Sequence, residues 1–532
     1  MNMRTRTDVL LLVAFCGFLF FYGLGSFGLV GADEPRYAQV AREMLDRHDW
    51  VTPTLQGKPW LEKPVLYYWQ AILSYKFFGV SDRAARIPAA FDASLLIAAI
   101  YLFLRRLRPG SEIDGALITA GCAGLIGFAR GASTDMPLAA MFAIAMLAWY
   151  AWYEGKSRIA LAAFYFFLAL ATLAKGPVAI FLAGIILFVF IAARRDWRAI
   201  SGTLWAPGVA LFLAVALPWY IAVQVRNPEF FRVFIVEHNL GRFGQDLYHH
   251  RQPFWFYLPV LVLALLPWTL WLVLAIIERI RLLWNERRDA VATYEDAWQL
   301  LLLIWLLVPV LFFSASQSKL PGYILPAIPA GGLLIAEYLR THRSEEAKVS
   351  LWCVVTHAVL CGVLVCAALT APTLQMHHHL ASGTWSYVAA GAAVLVAIAI
   401  GVALARVGLR VLRAATLVSV VIAVAAILRL ASPVIDATKS ARPIAQDILS
   451  FSHESVPVAA CRINRQQEYG LEFYLNRPVQ RYENGEVPDA PHVLVIGENA
   501  SLQLSEYVLG RHVSHLTDVP AQRLRVYWVG GK

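Results

Sequence analysis

The chain has 532 residues, of which 59% are hydrophobic and 15% are charged, and its formal net charge is +10. Soluble domains carry about 25% charged residues, so this composition excludes an ordinary soluble protein and indicates many membrane spans. The basic residues lie in short loops between apolar runs, which fits membrane topology and contact with membrane lipids and argues against a nucleic-acid partner.

Windows of about 20 mostly apolar residues predict membrane-spanning helices. This chain contains about thirteen, at 9–29, 88–105, 113–129, 134–153, 158–174, 176–194, 204–224, 254–276, 297–315, 322–340, 350–370, 386–405 and 411–430. The first window follows Arg4 and Arg6 and is longer than the apolar core of a signal peptide, so we expect an uncleaved anchor. The Gly176-Pro177 step predicts a break between the fifth and sixth windows.

Charge alternates between successive loops in a way that predicts the topology. Every second loop is basic, whereas the opposite short loops carry few cations, namely Arg130, Lys175 and Lys319. Basic loops of membrane proteins face the cytoplasm. We therefore expect a cytoplasmic N-terminus and place these three cations on the outer side.

Three outer segments are long, at 30–87, 226–253 and 434–532. Residues 35–50 of the first are predicted to form an amphipathic helix at the membrane interface, with an apolar face made of Tyr37, Val40, Ala41, Met44 and Leu45. The last segment alternates short strand-like runs with helical stretches. It predicts a small α/β domain after an all-α membrane domain that covers residues 1–433.

The acidic pair Asp33-Glu34 directly follows the first apolar window, and Arg36 comes two residues later. A carboxylate so close to the membrane is costly unless it is solvated, paired or used. The same segment holds Glu62-Lys63 between two prolines. This second pair is either a surface ion pair or a carboxylate and a cation held in place for a substrate.

Asp135 lies at the start of the fourth window, shortly after Arg130, where it either caps a helix or faces a substrate. Lys175 and Lys319 emerge on the same side, beside Gly, Pro or Ser residues. Short outer loops are normally poor in such groups. Their accumulation on one side predicts a polar cleft at one membrane interface.

The residue types in this cleft fit sugar transfer from a lipid carrier. Carboxylates can activate an acceptor hydroxyl or amine as a general base, and Lys and Arg can hold a phosphate and stabilise it as it leaves. Neighbouring aromatic and apolar residues suit a lipid tail. Together they predict glycosyl transfer from a polyprenyl-phosphate sugar outside the cytoplasm, where nucleotide sugars are absent.

Five motifs occur in the same order as in the lipid-carrier-dependent GT-C glycosyltransferases, which this chain resembles: GADEPRYAQVAREM (31–44), LEKPVLYYW (61–69), STDMPLA (133–139), LAKGPVA (173–179) and SKLPGYILP (318–326). That group includes protein O-mannosyltransferases and the aminoarabinose transferases of lipid A. The motifs are most similar to the aminoarabinose branch, and the similarity extends over residues 1–430.

The resemblance implies a bacterial inner-membrane enzyme with thirteen helices, a periplasmic cavity and a C-terminal periplasmic domain. It implies that Asp33 is an essential acidic residue and a candidate base. Lys63 and Asp135 would line the donor-phosphate and sugar region, and Tyr323 would hydrogen-bond near the donor. Further contacts to the donor or substrate are expected from Glu34, Arg36, Arg130, Lys175 and Lys319.

The resemblance also points to Glu62 and His238 as ligands of a divalent metal such as zinc, magnesium or manganese. Catalytic zinc usually has three protein ligands, so this pair falls short of that number. The alternative is an interfacial histidine that forms a hydrogen bond or faces a phosphate. Apart from this metal, no cofactor is expected.

We therefore expect a monomeric glycosyltransferase that moves a sugar from an undecaprenyl-phosphate donor to a periplasmic acceptor, with 4-amino-4-deoxy-L-arabinose and lipid A as the leading pair. Protein hydroxyls, or another glycan or glycolipid, are alternative acceptors. A lipid-linked-sugar transporter is a third interpretation. Transporters often show duplicated halves with charges near the midplane, whereas this sequence shows no internal repeat and gathers its charges on one side.

Overall fold

A computed structural model of the protein describes residues 3–241, 252–286, 294–342, 350–377, 384–451, 456–508 and 510–531. Among the described residues, the first 430 positions are mainly helical. The helices are α1 (Met3–Cys16), α2 (Asp33–Asp46), α3 (Leu66–Phe78), α4 (Asp82–Leu107), α5 (Glu112–Ala120), α6 (Ala123–Ala129), α7 (Asp135–Gly155), α8 (Arg158–Lys175), α9 (Val178–Arg194), α10 (Arg198–Thr203), α11 (Ala206–Arg226), α12 (Tyr257–Ala264), α13 (Thr269–Glu286), α14 (Tyr294–Ser314), α15 (Ile328–Thr341), α16 (Leu351–His377), α17 (Thr384–Val407) and α18 (Leu412–Ala426).

Three other helical segments matter for the site. A π-helical segment, Gly17–Phe21, continues α1, and a second, Arg232–Gly241, follows α11. A 3₁₀ segment, Pro321–Ala327, leads into α15. In the first outer segment, β1 (Thr54–Leu55) and β2 (Lys58–Pro59) form a short antiparallel hairpin.

Within the described ranges, nine helical stretches are long and apolar enough to cross a membrane: Asp82–Leu107, Asp135–Gly155, Arg158–Lys175, Ala206–Arg226, Ala297–Ser314, Pro321–Thr341, Leu351–Thr370, Trp385–Val407 and Leu412–Lys439. Two helix pairs reach this length only across a sharp bend, of 66° between α5 and α6 and of 116° between Phe254–Ala264 and Thr269–Leu282. The predicted all-α polytopic architecture is confirmed. Length and composition give nine to eleven spans instead of about thirteen.

The difference in the number of spans comes from helix breaks and short helices. A window that counts apolar residues detects neither of them. The predicted window 254–276 contains Pro267, which has no N–H to donate and lies between the two helices of its bent pair. The windows 9–29 and 176–194 fall on α1 with its π-helical continuation and on α9, which has 17 residues. Both are shorter than the average span of about 20 residues and lie at the lower end of the usual range.

The predicted break between the fifth and sixth windows is confirmed. Gly176 follows the last residue of α8 with a φ of 93°, and Pro177 is the N-cap of α9. A glycine adopts this backbone conformation without the steric penalty that a side chain would bring. Because α8 and α9 turn back on each other here, Lys175 is held at the end of its helix.

Helix α2 packs its apolar face against protein. Val40, Ala41 and Met44 are fully buried, and α2 contacts both α3 and a helix of the C-terminal part. The predicted apolar face is confirmed, and protein covers it. Periodicity identifies which residues are covered, whereas lipid and protein are equivalent apolar partners for them.

The C-terminal part is an α/β domain, as predicted. Its first element, α19 (Ser432–Lys439), also forms the end of the candidate span Leu412–Lys439. The other elements are α20 (Arg442–Phe451), β3 (Val458–Cys461), α21 (Arg465–Leu475), β4 (Val479–Arg481), β5 (His492–Gly497), α22 (Glu498–Ser501), α23 (Leu504–Val508), β6 (Val513–Val519) and β7 (Leu524–Val529). The strands form one sheet in the order β4-β3-β5-β7-β6. Strand β3 is parallel to β4 and β5, and the other pairs are antiparallel.

The domain docks onto the first outer segment through hydrogen bonds. The backbone N–H of Gly28 donates to Oδ1 of Asp436 over 2.7 Å, and that of Leu29 donates to the Tyr474 hydroxyl over 2.7 Å. Both donors lie only a few residues before α2. The C-terminal domain therefore sits beside the acidic start of that helix.

Candidate active site

The acidic pair at the start of α2 occupies two different environments. Asp33 is the first residue of the helix, its side chain is 54% exposed, and its Oδ1 pairs with Arg36 one turn later. A carboxylate is also stabilised by the dipole at a helix N-terminus. Asp33 therefore presents an accessible carboxylate, as a base acting on an acceptor requires.

Arg36 is held by three aromatic rings while it pairs with Asp33. Its guanidinium carbon lies 5.1 Å from the ring centre of Tyr37, 5.0 Å from that of Trp60 and 5.8 Å from that of Tyr469. These distances lie within the usual range of cation–π interactions. Since Tyr469 belongs to α21, the C-terminal domain reaches the neighbourhood of Asp33.

Glu34 is buried and makes a bidentate ion pair with Arg86 of α4. Arg86 donates from Nε to Oε1 over 3.0 Å and from Nη2 to Oε2 over 2.7 Å. The backbone N–H groups of Val30 and Ala132 donate to the same carboxylate over 2.8 and 2.7 Å. Four donors thus saturate both oxygens of Glu34, and they tie together the start of α2, helix α4 and the loop before α7.

The expected contact of Glu34 with the donor or substrate stays a prediction, although a contact with the donor phosphate does not fit this geometry. A carboxylate repels a phosphate, and both oxygens of Glu34 are engaged with protein donors. In this structure Glu34 fixes the residues around it. The sequence assigned different roles to Asp33 and Glu34, but it did not reveal that one is exposed and the other buried against Arg86.

Asp135, Lys175 and Tyr323 form a second cluster. Asp135 is the first residue of α7, and its Oδ1 contacts Nζ of Lys175 at the end of α8. That ammonium nitrogen lies 4.9 Å from the ring centre of Tyr323. A Cβ atom at Gly322 would come within 2.7 Å of Oδ1 of Asp135, so glycine at this position permits the close approach of the 3₁₀ segment.

A cavity of about 780 Å³ is lined by both Asp33 and Asp135, one carboxylate from each cluster. Its polar end contains Asp33, Glu34, Arg130, Ser133 and Asp135, and its remaining wall is mostly apolar, including Val260, Leu263, Ala264, Ile324, Leu325, Ile328, Leu364, Val420, Val424, Ile427 and Leu428. Such a lining, apolar with a few convergent polar groups, is typical of ligand sites. The bends between α5 and α6 and between α12 and α13 both border this space.

Arg130 lies in the wall of the cavity and donates to backbone carbonyls, from Nη1 to Leu19 over 2.9 Å and from Nη2 to Gly23 over 3.1 Å. Burial, and to a lesser extent the charge of Arg86, lowers the pKa of Arg130 to about 10. It stays protonated at neutral pH. No carboxylate of the described chain forms an ion pair with it, so its charge suits an anionic ligand.

Lys63 and Lys319 are buried, with exposures of 7% and 6%, and neither is among the residues that line the cavity. Lys319 donates from Nζ to the carbonyls of Gln252 and Ser316 over 3.1 and 2.5 Å. It therefore holds the backbone that leads into the 3₁₀ segment. A donor contact by either lysine stays a prediction.

Glu62 and His238 approach each other, with Nε2 of His238 3.8 Å from Oε1 of Glu62. Their side chains are only 17% and 9% exposed. Across the residues that the structure describes, no group of three or more His, Cys, Asp and Glu side chains could hold a metal ion. Two donors do not make the three-ligand set of a catalytic zinc site, so the expected metal centre is not supported.

The chain is similar in sequence to known proteins. The model of the dolichyl-phosphate-mannose-protein mannosyltransferase family matches residues 6–234. A protein of Serratia proteamaculans (strain 568), the undecaprenyl phosphate-alpha-4-amino-4-deoxy-L-arabinose arabinosyl transferase, is 30% identical over 396 residues, covering 72% of this chain and 68% of that protein. The chain belongs to the GT-C family of lipid-carrier-dependent glycosyltransferases.

Other members of the GT-C family match over different lengths. A Pseudomonas aeruginosa (strain UCBPP-PA14) protein with the same name as the Serratia protein is 35% identical over 343 residues. That match covers 63% of this chain and 60% of the relative, so the chain spans less than two thirds of that relative's length.

Solved structures of GT-C proteins extend the similarity to the whole fold. ArnT from Cupriavidus metallidurans bound to undecaprenyl phosphate has a TM-score of 0.76 and 25% identity, covering 98% of this chain and 97% of that one. The archaeal oligosaccharyltransferase AglB from Archaeoglobus fulgidus shares the fold alone, with a TM-score of 0.51 and 11% identity. The GT-C fold expected from the motifs is confirmed.

Arg86 is a residue of this site that the sequence motifs do not identify. The predicted span begins at residue 88, which leaves Arg86 in the outer segment 30–87. In the structure α4 begins at Asp82, after Ser81, whose side chain accepts a hydrogen bond from the N–H of Ala84. That N-cap serine was the available signal, and it would have placed Arg86 inside the helix.

Breaking the Glu34–Arg86 pair is expected to destabilise the protein strongly. Arg86→Met leaves the buried Glu34 carboxylate without its ionic partner, and such losses cost about 3–5 kcal/mol. Denaturant titration of the protein in detergent measures the change. Arg83→Met, at an exposed arginine on the same helix, is the control and is expected to change stability little. Equal stability of the two variants would contradict the role of the pair.

Proposed function

We propose that this protein is an integral-membrane glycosyltransferase that moves a sugar from an undecaprenyl-phosphate carrier to an acceptor in the periplasm. The observation that carries the proposal is the cavity, whose apolar wall leads to Arg130, Asp33 and Asp135. A polyprenyl phosphate has the same division into an apolar chain and a charged head. Similarity to ArnT bound to undecaprenyl phosphate supports this carrier.

The leading specific reaction is transfer of 4-amino-4-deoxy-L-arabinose to lipid A. The names of the Serratia and Pseudomonas relatives support the sugar and the carrier. Lipid A as acceptor rests on the resemblance of the motifs. The proposed unit is a monomer.

The residues of the site divide the reaction between them. Asp33 takes the proton of the acceptor group as that group bonds to C1 of the sugar. The bond between C1 and the phosphate oxygen breaks, and the phosphate leaves with the electron pair. Arg130 stabilises this leaving group by charge, while Asp135, held by Lys175, orients the sugar. These roles are compatible with either inversion or retention at C1.

Replacement of Asp33 by Asn is expected to lower turnover by about 10²–10⁴-fold, the usual contribution of a general base. The assay uses purified protein, a radiolabelled polyprenyl-phosphate sugar and a panel of acceptors. Asp46→Asn, at the exposed opposite end of α2, is the matched control and should retain activity. Full turnover by the Asp33 variant, with normal expression and membrane insertion, would remove the base assignment.

A protein hydroxyl is the second candidate acceptor. The match of residues 6–234 to the protein mannosyltransferase family favours it. Mass analysis of lipid A and of secreted proteins from a deletion strain separates the two acceptors. Loss of a sugar from lipid A supports the first proposal, and loss from proteins supports the second.

We further propose a multi-pass protein of the bacterial inner membrane, with a cytoplasmic N-terminus and a periplasmic C-terminal domain. The alternation of basic loops supports this orientation. The docking of the C-terminal domain beside Asp33 is consistent with it, since both then lie on one side of the membrane. The basic loop after α9 lies at the opposite end of that helix from Lys175.

Labelling of introduced cysteines tests the orientation in a background that lacks the native cysteines. Leu502→Cys, in the C-terminal domain, and Trp197→Cys, after α9, replace side chains that are 80% and 54% exposed. A membrane-impermeant maleimide added to spheroplasts is expected to label position 502 and not position 197. Labelling of position 197 alone would mean that the orientation is the reverse of the one proposed.

A further inference from the structure

Helix α21 belongs to two cores at once. Its Leu471 lies in the core of the C-terminal α/β domain, together with residues of α20 and the sheet. Its Phe473, only 3% exposed, lies in the large buried cluster of the membrane part, and Tyr469 and Tyr474 pack against that cluster. One helix therefore couples the position of the soluble domain to that of the first outer segment.

The contacts of α21 with the first outer segment come from residues spaced along one stretch of the helix. The ring of Tyr469 packs on Arg36, and Glu472 accepts a hydrogen bond from Nε2 of Gln56. The carbonyl of Phe473 accepts from Nη1 of Arg42 over 2.9 Å. The hydroxyl of Tyr474 accepts from the N–H of Leu29 over 2.7 Å. Three of these contacts fix backbone or structural side chains. The contact of Tyr469 with Arg36 is different, because Arg36 pairs with Asp33.

We propose that Tyr469 is a positioning residue for sugar transfer, whose ring holds Arg36 against Asp33, so that the C-terminal domain completes the active site. This inference rests on the proposed function of Asp33 as the base. It gives the C-terminal domain a direct part in the reaction at the membrane.

The enclosure of Arg36 supports this role. Tyr37 and Trp60 come from the same outer segment as Arg36, whereas Tyr469 comes from a separate domain. An arginine side chain has many rotamers, and its planar guanidinium is well suited to stacking on rings. The Arg36 side chain is 12% exposed, so the three rings exclude most water from it. Without the third ring, Arg36 gains freedom to leave Asp33.

The contact that Tyr469 makes with Arg36 is a stacking contact of its ring. Tyr469→Phe should therefore retain turnover, whereas Tyr469→Leu should lower kcat about 5- to 30-fold, the range that corresponds to one cation–π interaction. The KM for the lipid-linked donor should stay unchanged, because Arg130 and the cavity wall are untouched. Equal kcat for the Leu variant and the unaltered chain would overturn the proposal.

A double-mutant cycle distinguishes positioning through Arg36 from a general structural role. Tyr469→Leu should have no further effect on kcat in a chain that already carries Arg36→Ala. An undiminished effect in that background would mean that Tyr469 acts by another route and would overturn the proposal. Tyr507→Leu is the matched control, because Tyr507 packs on the other face of the sheet, away from α21, and it should retain kcat.

Hydrogen exchange separates this inference from the proposed function, because it needs no catalysis. In the full chain, Tyr469→Leu should accelerate exchange at residues 37–40 of α2, whose N–H groups donate to the carbonyls of the first turn, and Tyr469→Phe should not. If the unaltered chain transfers no sugar, the proposed function fails while exchange still tests the contact. If the chain is active and neither kcat nor exchange responds to Tyr469→Leu, the inference fails and the proposed function stands.

Discussion

The buried ion pair between Glu34 and Arg86 is the interaction on which the candidate site depends. Desolvating two charges is costly, and good geometry with additional hydrogen bonds is needed to offset that cost. Here the backbone N–H groups of Val30 and Ala132 supply those bonds. The same four donors join the segment after the first helix, the start of α2, helix α4 and the loop before α7. Asp33 and Asp135 acquire their relative positions from this junction.

The cavity beside that junction has an apolar part and a charged part. Apolar side chains from several helices form most of its wall, and the charged groups lie at one end. Arg130 keeps its positive charge although burial lowers its pKa to about 10. Its guanidinium binds only backbone carbonyls among the described residues. An anionic head group with an apolar chain matches both parts of this space.

The sequence predicted the membrane architecture and the α/β domain, and it placed Asp33 and Asp135 at one common cleft, because these follow from hydropathy, charge placement and recognisable motifs. It did not foresee that Glu34 is buried against Arg86 while Asp33 is exposed, since this depends on which side chains meet across distant helices. The number of spans was predicted too high for a related reason. Helix breaks depend on local backbone geometry, which hydropathy does not reveal. Lys319 shows the same limit: its charge was visible, but its backbone carbonyl partners were not.

A cryo-electron microscopy map of the full chain in lipid nanodiscs with undecaprenyl phosphate tests whether the cavity binds the lipid carrier. We expect isoprenoid density along the apolar wall of the cavity and the phosphate within hydrogen-bond distance of Arg130, on the same side as Asp33. A phosphate bound elsewhere, with the cavity filled by bulk lipid or closed, would contradict it.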